Sequence, residues 1–458
     1  MCSTITNYNL LVGDRKNNGR KFHESMCKMK SKLLRILFPP VMVVLCLLVM
    51  ALSGGCSDGS KSQKDSTDTI KKTPPTESSI TPRKPASATL LFDASGSMAG
   101  YLNSGDPRFI GVISAFEFLP DNIKIRLFGE KEESPMDKEA FGKKLNNRSI
   151  KWSNESNLFA MVDSMVRHIN GGDNVCFLIT DGILSGSNSE INSSPEKRFN
   201  IIQREKLSND LSAKLKEKKG TLSALIVRYT SLFNGRYSCY DNTPINLVKK
   251  NRPFYVIALG KWESLKYIEE ELEKKKKTEN TTTPYDDMVM IGDASSYQNF
   301  KFSPREGLRS AEKGKWKITA KSGKDEKGKV VFSANLDILP EYMQTEDYMK
   351  DNLELYVQKG KKSPVAVDGA QLSVRDEGGS KMLIVSVEES SLRHYNCLTF
   401  KLKYAFPKWI DELSDGDDKD ILSNPSKLGK TFNLKYFVAG FKCLHEGEYI
   451  NENTIEFN

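Results

Sequence analysis

Two short apolar runs, each followed directly by an aspartate, constrain the fold of this chain more than any other feature. Residues 88–92 are followed by Asp93, and residues 175–179 are followed by Thr180 and Asp181. A short run of apolar residues without alternation is typical of a strand buried on both faces, as strands of parallel sheets are. The pattern therefore predicts a parallel sheet with carboxylates at the ends of two strands.

The sequence around these runs alternates between helical and strand patterns. Helical spacing of apolar residues follows Asp106-Pro107 and recurs at residues 158–169, 198–218 and 264–276, and further strands are predicted at 124–129, 221–227 and 254–259. Such alternation predicts an α/β fold over residues 87–300, with a doubly wound, mostly parallel, Rossmann-like sheet covered by helices on both faces.

Five oxygen-bearing side chains fall near the predicted carboxyl edge of this sheet: Asp93, Ser95, Ser97, Ser156 and Asp181. Open α/β sheets bind ligands at that edge. Two carboxylates and three hydroxyls are hard donors, which suit Mg²⁺ or Mn²⁺ better than zinc or copper. Because three of the five groups are neutral, a bound cation keeps part of its charge and attracts an acidic group from a partner.

This arrangement resembles the metal-ion-dependent adhesion site of von Willebrand factor type A (vWA) domains. The resemblance covers residues 87–300 and implies a vWA fold with bound Mg²⁺, Mn²⁺ or Ca²⁺. It also implies that Ser95, Ser97 and Ser156 contact the metal directly. By the same resemblance, Asp93 and Asp181 hold the metal largely through water.

One position departs from the family pattern. Ser156 stands where the family usually has Thr, so the hydroxyl is kept but the methyl group that restricts its rotamer is absent. Ser153 is a second, less favoured candidate for this position. The alternative to a working site is a degenerate vWA domain in which the loop closes the fold without binding a metal.

The N-terminal segment, residues 1–55, has the layout of an export signal. Basic residues precede an uncharged stretch over residues 36–56, which ends Leu52-Ser53-Gly54-Gly55-Cys56. This ending resembles the lipobox of bacterial lipoproteins and implies a lipid on Cys56, although Ser53 replaces the usual Leu. The alternative is an uncleaved membrane anchor, since about 17 to 25 apolar residues can span a bilayer. Either way, the segment predicts an extracytoplasmic chain that is anchored to a membrane of the cell envelope.

Charge is distributed unevenly along the 458 residues. The formal net charge is +9, but residues 1–55 hold eight basic and two acidic residues, so the remainder carries only +3. That balance gives no basis for nucleic-acid binding. Residues 56–86 are rich in Ser, Thr, Lys, Asp and Pro, which predicts a disordered tether between the signal and the first folded domain.

The region from residue 301 to 458 is predicted to be an all-β, sandwich-like domain. Apolar and polar residues alternate over short runs at 316–320, 383–387, 398–404 and 432–438. Residues 323–329 have the spacing of a phosphate-binding loop. They lie between two predicted strands, whereas the motif requires a following helix, so a hairpin turn is favoured.

Two further features of this region leave alternatives open. Cys397 and Cys443 can form a disulfide, which their spacing does not decide. The acidic run at residues 415–420 can bind Ca²⁺, but a solvated loop is favoured.

The sequence indicates a binding protein rather than an enzyme, because it contains no Gly-x-Ser-x-Gly motif between a predicted strand and helix and no His-Glu-x-x-His motif. The expected partner is an extracytoplasmic protein, peptide or glycan that offers a carboxylate to the bound cation. Two alternatives stay open: a metal-independent structural subunit of a cell-envelope complex, and a metal-assisted envelope hydrolase.

Overall fold

The structure is a computed structural model that describes part of the chain. The described residues are 81–458, except for 116–121, 155, 170–172, 184–200, 219, 240–242, 278–283, 321–327 and 446. The predicted export signal, Cys56 and most of the predicted tether lie outside the described residues. Of the helices that are described, none has both the length and the apolarity needed to cross a bilayer.

Residues 87–291 form the α/β part of the chain, where helices lie between most of the strands. The strands are β1 (Ser87–Asp93), β2 (Lys124–Phe128), β3 (Asn174–Thr180), β4 (Ser223–Ser238), β5 (Pro244–Gly260) and β6 (Asp287–Ile291). The helices are α1 (Ala99–Asn103), α2 (Pro107–Ala115), α3 (Lys138–Asn146), α4 (Leu158–His168), α5 (Ile201–Lys216) and α6 (Trp262–Lys276).

These six strands form one mixed sheet in the order β2-β1-β3-β5-β4-β6. β1 is parallel to β2 and β3, but β5 is antiparallel to β3 and β4, and β6 is antiparallel to β4. The expectation of a mostly parallel sheet is therefore wrong for its second half. β4 and β5 are joined by a short connection, and a connection of that length allows a hairpin but no parallel crossover.

The parallel half of the sheet brings two strand ends together. β1 and β3 are almost fully buried, as their unbroken apolar runs predict. Phe92 pairs with Ile179, so both strands end at the same level. This register sets Asp93 beside Thr180 and Asp181 at one edge of the sheet.

The β4–β5 hairpin extends well beyond the sheet. β6 pairs only with residues 224–228 of β4, and β3 pairs only with residues 255–259 of β5. Residues 231–238 and 244–252 form the outer half of the hairpin, which we call the ribbon. The sequence patterns predicted only the inner, buried parts of these two strands.

The C-terminal region contains two four-stranded antiparallel sheets, with strand orders β13-β14-β10-β7 and β12-β11-β15-β18. Phe332 of one sheet and Phe400 of the other contact each other, with ring centroids 5.1 Å apart, so the inner faces pack together as in a sandwich. The strands of this region are β7 (Ser303–Glu306), β8 (Leu308–Ser310), β9 (Trp316–Ile318), β10 (Lys329–Asn335), β11 (Leu353–Gln358), β12 (Val365–Ala366), β13 (Gln371–Glu377), β14 (Ser380–Glu388), β15 (Cys397–Lys403), β16 (Ser414–Asp415), β17 (Thr431–Phe432) and β18 (Tyr449–Glu456).

The C-terminal region is not all-β. It includes the helices α7 (Glu346–Asn352), α8 (Trp409–Glu412) and α9 (Leu434–Gly440). The predicted strand at 432–438 is wrong, because its second half is α9. The residues buried there, Leu434, Phe437 and Val438, have helical spacing. A short apolar run is compatible with either a helix or a strand, so the sequence did not decide between them.

Residues 409–445, which we call the capping segment, pack on the α/β part. The Tyr255 hydroxyl of β5 lies 2.9 Å from the Thr431 hydroxyl. Gly440 fits closely against Leu211 of α5, where an added Cβ would lie 2.5 Å from a Leu211 methyl carbon. The segment therefore returns from the C-terminal sheets to the domain that carries the predicted metal site.

The described end of the predicted tether is attached to the α/β part. The backbone N–H of Arg83 donates to the carbonyl of Glu263 (3.0 Å), and that of Ala86 donates to the carbonyl of Asp173 (2.8 Å). The Arg83 guanidinium also pairs with Asp173 at 2.9 Å. The chain is thus fixed from Arg83 onwards, whereas the predicted tether extended to residue 86.

Two expectations for the C-terminal region differ from the structure. β9 pairs with β8, and β10 pairs with β14 and β7, so β9 and β10 do not form the predicted hairpin; residues 321–327 between them lie outside the described residues. Cys397 and Cys443 are both free thiols, so they form no disulfide.

Candidate metal centre

The Asp93 carboxylate joins three distant segments of the chain. Asp93 ends β1 and its side chain is fully buried. Its Oδ1 accepts a hydrogen bond from the backbone N–H of Ser95 (2.9 Å). Its Oδ2 accepts from the hydroxyls of Thr180 (2.8 Å) and Ser156 (3.2 Å). One carboxylate thus holds the loop after β1, the start of α4 and the end of β3.

The Asp181 carboxylate completes the group. It is 4% exposed and accepts a hydrogen bond from the Ser97 hydroxyl. The hydroxyls of Ser97 and Ser95 lie 3.2 Å apart. The structure therefore brings all five sequence-predicted residues into one hydrogen-bonded network. Ser97 and Ser156 are partly exposed, so the network opens to solvent on the hydroxyl side.

Local backbone contacts fix the direction of the hydroxyls. The N–H of Gly96 donates to the carbonyl of Ser153, and the N–H of Ser153 donates to the carbonyl of Ala94, both at 2.7 Å. Ser153 therefore holds the loop after β1 through its backbone, while Ser156 makes the side-chain contact with Asp93. Asn157 caps α4 by accepting from the N–H of Ala160 (3.0 Å), which fixes the chain next to Ser156.

A tight turn follows the second carboxylate. Gly182 has a positive φ of 71°, and its N–H donates to the Thr180 hydroxyl at 3.2 Å. A Cβ at Gly182 would lie 2.6 Å from the Tyr255 ring. Both the backbone conformation and the close ring therefore require glycine here.

The two carboxylates are electrostatically unfavourable neighbours. Burial raises the pKa of Asp93 to about 7, and repulsion from Asp181 adds to this. Burial also raises the pKa of Asp181, while the hydrogen bond from Ser97 and the charge of Arg252 oppose the rise. A divalent cation at this position would favour the ionised form of both groups.

Two residues that the sequence did not reveal belong to the surroundings of the site. The Thr180 hydroxyl donates a hydrogen bond directly to Asp93. The sequence feature that could have identified Thr180 is a hydroxyl residue at the end of a buried apolar run. Arg252 is only 2% exposed, and one guanidinium nitrogen donates to the carbonyls of Lys427, Leu428 and Lys430 at 2.9–3.2 Å. A single Arg after exposed residues gives no sequence signal of burial.

The donor set fits a hard divalent cation. Within the described ranges, no group of three or more His, Cys, Asp or Glu side chains is arranged to hold a metal, so a zinc-type centre is not indicated there. The group around Asp93 instead combines two buried carboxylates with serine hydroxyls. Each hydroxyl oxygen has two lone pairs and can face a cation while its hydrogen points to a carboxylate.

The acidic run at residues 415–420 is partly balanced by a lysine of the protein itself. The Lys427 ammonium lies 2.5 Å from Asp420 and 3.7 Å from Asp415, and it donates to the carbonyl of Asp417. Asp418 is buried and accepts from the Tyr237 hydroxyl at 2.5 Å. The run therefore carries a protein cation beside its carboxylates, and it is less solvated than the loop that the sequence favoured.

No protein-family model, curated protein or solved structure matches this chain. The function of this chain is therefore inferred from the chemistry of the site.

Proposed function

We propose that the α/β part is a doubly wound, vWA-like domain that binds one divalent cation, Mg²⁺, Mn²⁺ or Ca²⁺. In this proposal the cation binds a carboxylate of a protein, peptide or glycan partner. The protein acts by binding and not by catalysis. The export-signal pattern adds a lipid on Cys56 and a position in the cell envelope, outside the cytoplasm.

One observation carries the proposal. Three segments that are far apart in sequence meet at the carboxyl ends of β1 and β3, and all five oxygen donors there are linked by hydrogen bonds. Both carboxylates are buried and have raised pKa values. Neither forms an ion pair within the described residues, unlike the acidic run at 415–420.

The residues have distinct roles in this proposal. Ser95, Ser97 and Ser156 would offer hydroxyl oxygens to the cation. Asp93 and Asp181 orient those hydroxyls by accepting hydrogen bonds from Ser156 and Ser97. When bound, the cation would supply a positive charge whose direct ligands are neutral hydroxyls, and it would therefore attract an anionic partner.

Titration with Mn²⁺ tests the proposal directly, with free Mn²⁺ followed by its electron paramagnetic resonance signal. The full chain should bind one Mn²⁺, and added Mg²⁺ should displace it. The double variant Ser97→Ala/Ser156→Ala should lose this binding, whereas the control Ser153→Ala should retain it, because it keeps the two backbone hydrogen bonds of Ser153 to the loop after β1. Equal Mn²⁺ binding by all three proteins would contradict the proposed site.

A further inference from the structure

The ribbon lies directly beside the loop after β1, which carries Ser95 and Ser97. The N–H of Gly100 in α1 donates to the carbonyl of Ser97 at 3.1 Å. Gly100 in turn contacts the ribbon so closely that a Cβ built on Gly235 would lie 2.9 Å from the Gly100 Cα. Conversely, a Cβ on Gly100 would lie 2.3 Å from the ring of Phe233, which also belongs to the ribbon. The ribbon therefore packs on the first residues after the hydroxyl donors.

The ribbon is held rigidly in this position. Asp106, which precedes α2, accepts hydrogen bonds from the hydroxyl of Ser231 (3.0 Å) and the backbone N–H of Leu232 (2.8 Å). From the capping segment, Asp418 accepts from the Tyr237 hydroxyl. Contacts on both sides mean that its outer surface is preformed rather than ordered by a partner.

The outer surface of the ribbon is basic and unbalanced. Arg236, Lys249 and Lys250 are exposed, and none of them forms an ion pair with a described residue. Residues 231–238 and 244–252 contain no Asp or Glu, and the acidic residue of the connection between them, Asp241, lies outside the described residues. A β-bulge with a positive φ at Lys249 lies in this stretch, and the neighbouring Val248 is 64% exposed. Exposed basic residues with an exposed apolar residue among them are complementary to an acidic polypeptide.

We propose that the ribbon is a docking surface for an extended acidic segment of a partner protein. One carboxylate of that segment binds the cation, and further acidic side chains pair with Arg236, Lys249 and Lys250. This inference rests on the proposed function, because it extends the carboxylate-binding site onto the adjacent strands. The ribbon selects partners by charge, while the cation supplies the central contact.

Binding of fluorescein-labelled poly-L-glutamate to the full chain, measured by fluorescence anisotropy in MgCl₂ at low salt, tests the docking surface. The variant Arg236→Gln/Lys249→Gln/Lys250→Gln should bind about tenfold more weakly, because it loses three exposed charge pairs of modest strength. The control Lys359→Gln/Lys361→Gln/Lys362→Gln removes the same number of exposed charges from the C-terminal region, and should bind like the wild type. Equal affinities of the ribbon variant and the wild type would overturn the inference.

Two further measurements distinguish failure of this inference from failure of the proposed function. Chelation of Mg²⁺ with EDTA should weaken poly-L-glutamate binding by the wild type; if it has no effect while the ribbon variant binds weakly, the ribbon is supported and the metal function fails. Vesicles of phosphatidylglycerol test a membrane as the occupant. If they bind the wild type better than the ribbon variant, while poly-L-glutamate binds both equally, the ribbon is a membrane contact and the inference is wrong.

Discussion

Two groups of aspartates in this protein differ in how their charge is balanced. In the capping segment, residues 415–420 surround the ammonium of Lys427. At the end of β1, Asp93 and Asp181 are buried and are bonded to hydroxyls and backbone N–H groups only. The pKa of Asp420 is lowered by Lys427, whereas the pKa of Asp93 is raised to about 7.

The difference separates a structural role from a binding role. A carboxylate with a protein cation beside it stabilises the fold without any ligand. A pair of buried carboxylates that forms no ion pair within the described residues is costly unless a ligand compensates it. Acidic composition alone would have favoured the loop at 415–420, which contains four aspartates, as the metal site. The position of the balancing charge instead favours Asp93 and Asp181 as the metal site.

The largest expected effect comes from Arg252, which connects the two regions. Arg252→Ala leaves the carbonyls of Lys427, Leu428 and Lys430 without their donor and removes a buried cation near Asp181. It should lower the free energy of unfolding by about 3 kcal/mol or more, measured by urea denaturation. Arg236→Ala, on the same hairpin but exposed, should change it by no more than about 0.5 kcal/mol. Similar losses for both variants would show that Arg252 does not join the regions.

The second-largest effect is expected from mutating one aspartate in each group, which should distinguish the metal site from the structural loop. Mg²⁺ at about 100 times its dissociation constant should stabilise the wild type by about 2.7 kcal/mol, seen as a rise in Tm. Asp93→Asn should abolish this rise, because it removes a charge that holds the cation. Asp420→Asn should leave the Mg²⁺ effect unchanged while lowering Tm, since it breaks the pair with Lys427. A full Mg²⁺ shift in Asp93→Asn would contradict the assignment of the site.

Thermal stability at acid pH should reveal the contribution of the ion pair between Asp420 and Lys427. Because Lys427 lowers the pKa of Asp420, this pair stabilises the fold above the unfolded-state pKa of about 3.9. The stabilisation is lost as pH falls through the folded-state pKa. Lys427→Gln should therefore be less stable than the wild type at pH 7, and the gap should narrow towards pH 3 in thermal unfolding scans. A gap of constant size would mean that Lys427 acts through packing instead.

The smallest expected effect concerns the rotamer of Ser156. Ser156→Thr adds a methyl group that restricts χ1 while the hydroxyl is kept, so it should tighten Mn²⁺ binding by about threefold. Ser153→Thr is the matched control and should leave the affinity unchanged. Weaker binding by Ser156→Thr would indicate that the added methyl group collides with the loop after β1.

The sequence predicted those parts of the site that depend on local pattern. Unbroken apolar runs placed Asp93 and Asp181 at the ends of β1 and β3, because a strand buried on both faces is apolar along its length. Ser156 was found because it lies just before the helix predicted at residues 158–169. In each case the residue that matters lies next to the pattern that positions it.

The remaining features depend on long-range pairing that no local pattern encodes. The run at residues 254–259 is equally apolar in a parallel or an antiparallel strand, so the direction of β5 could not be predicted. Arg252 is buried because the capping segment supplies three carbonyls more than 170 residues further on. The apolar residues at 432–438 fit two periods, and packing against α5 selected the helix.

The path of the chain into β1 has a mechanical consequence. Arg83 and Ala86 attach the chain at the start of β1, and Asp93 lies at the other end of the same strand. A force between the Asp93 end and the N-terminal end of β1 would load the strand along its own axis. β1 is paired with β2 over five residues and with β3 over six, so its hydrogen bonds would be sheared together rather than opened one after another. The strand that carries the first carboxylate is thus also the one best placed to bear tension.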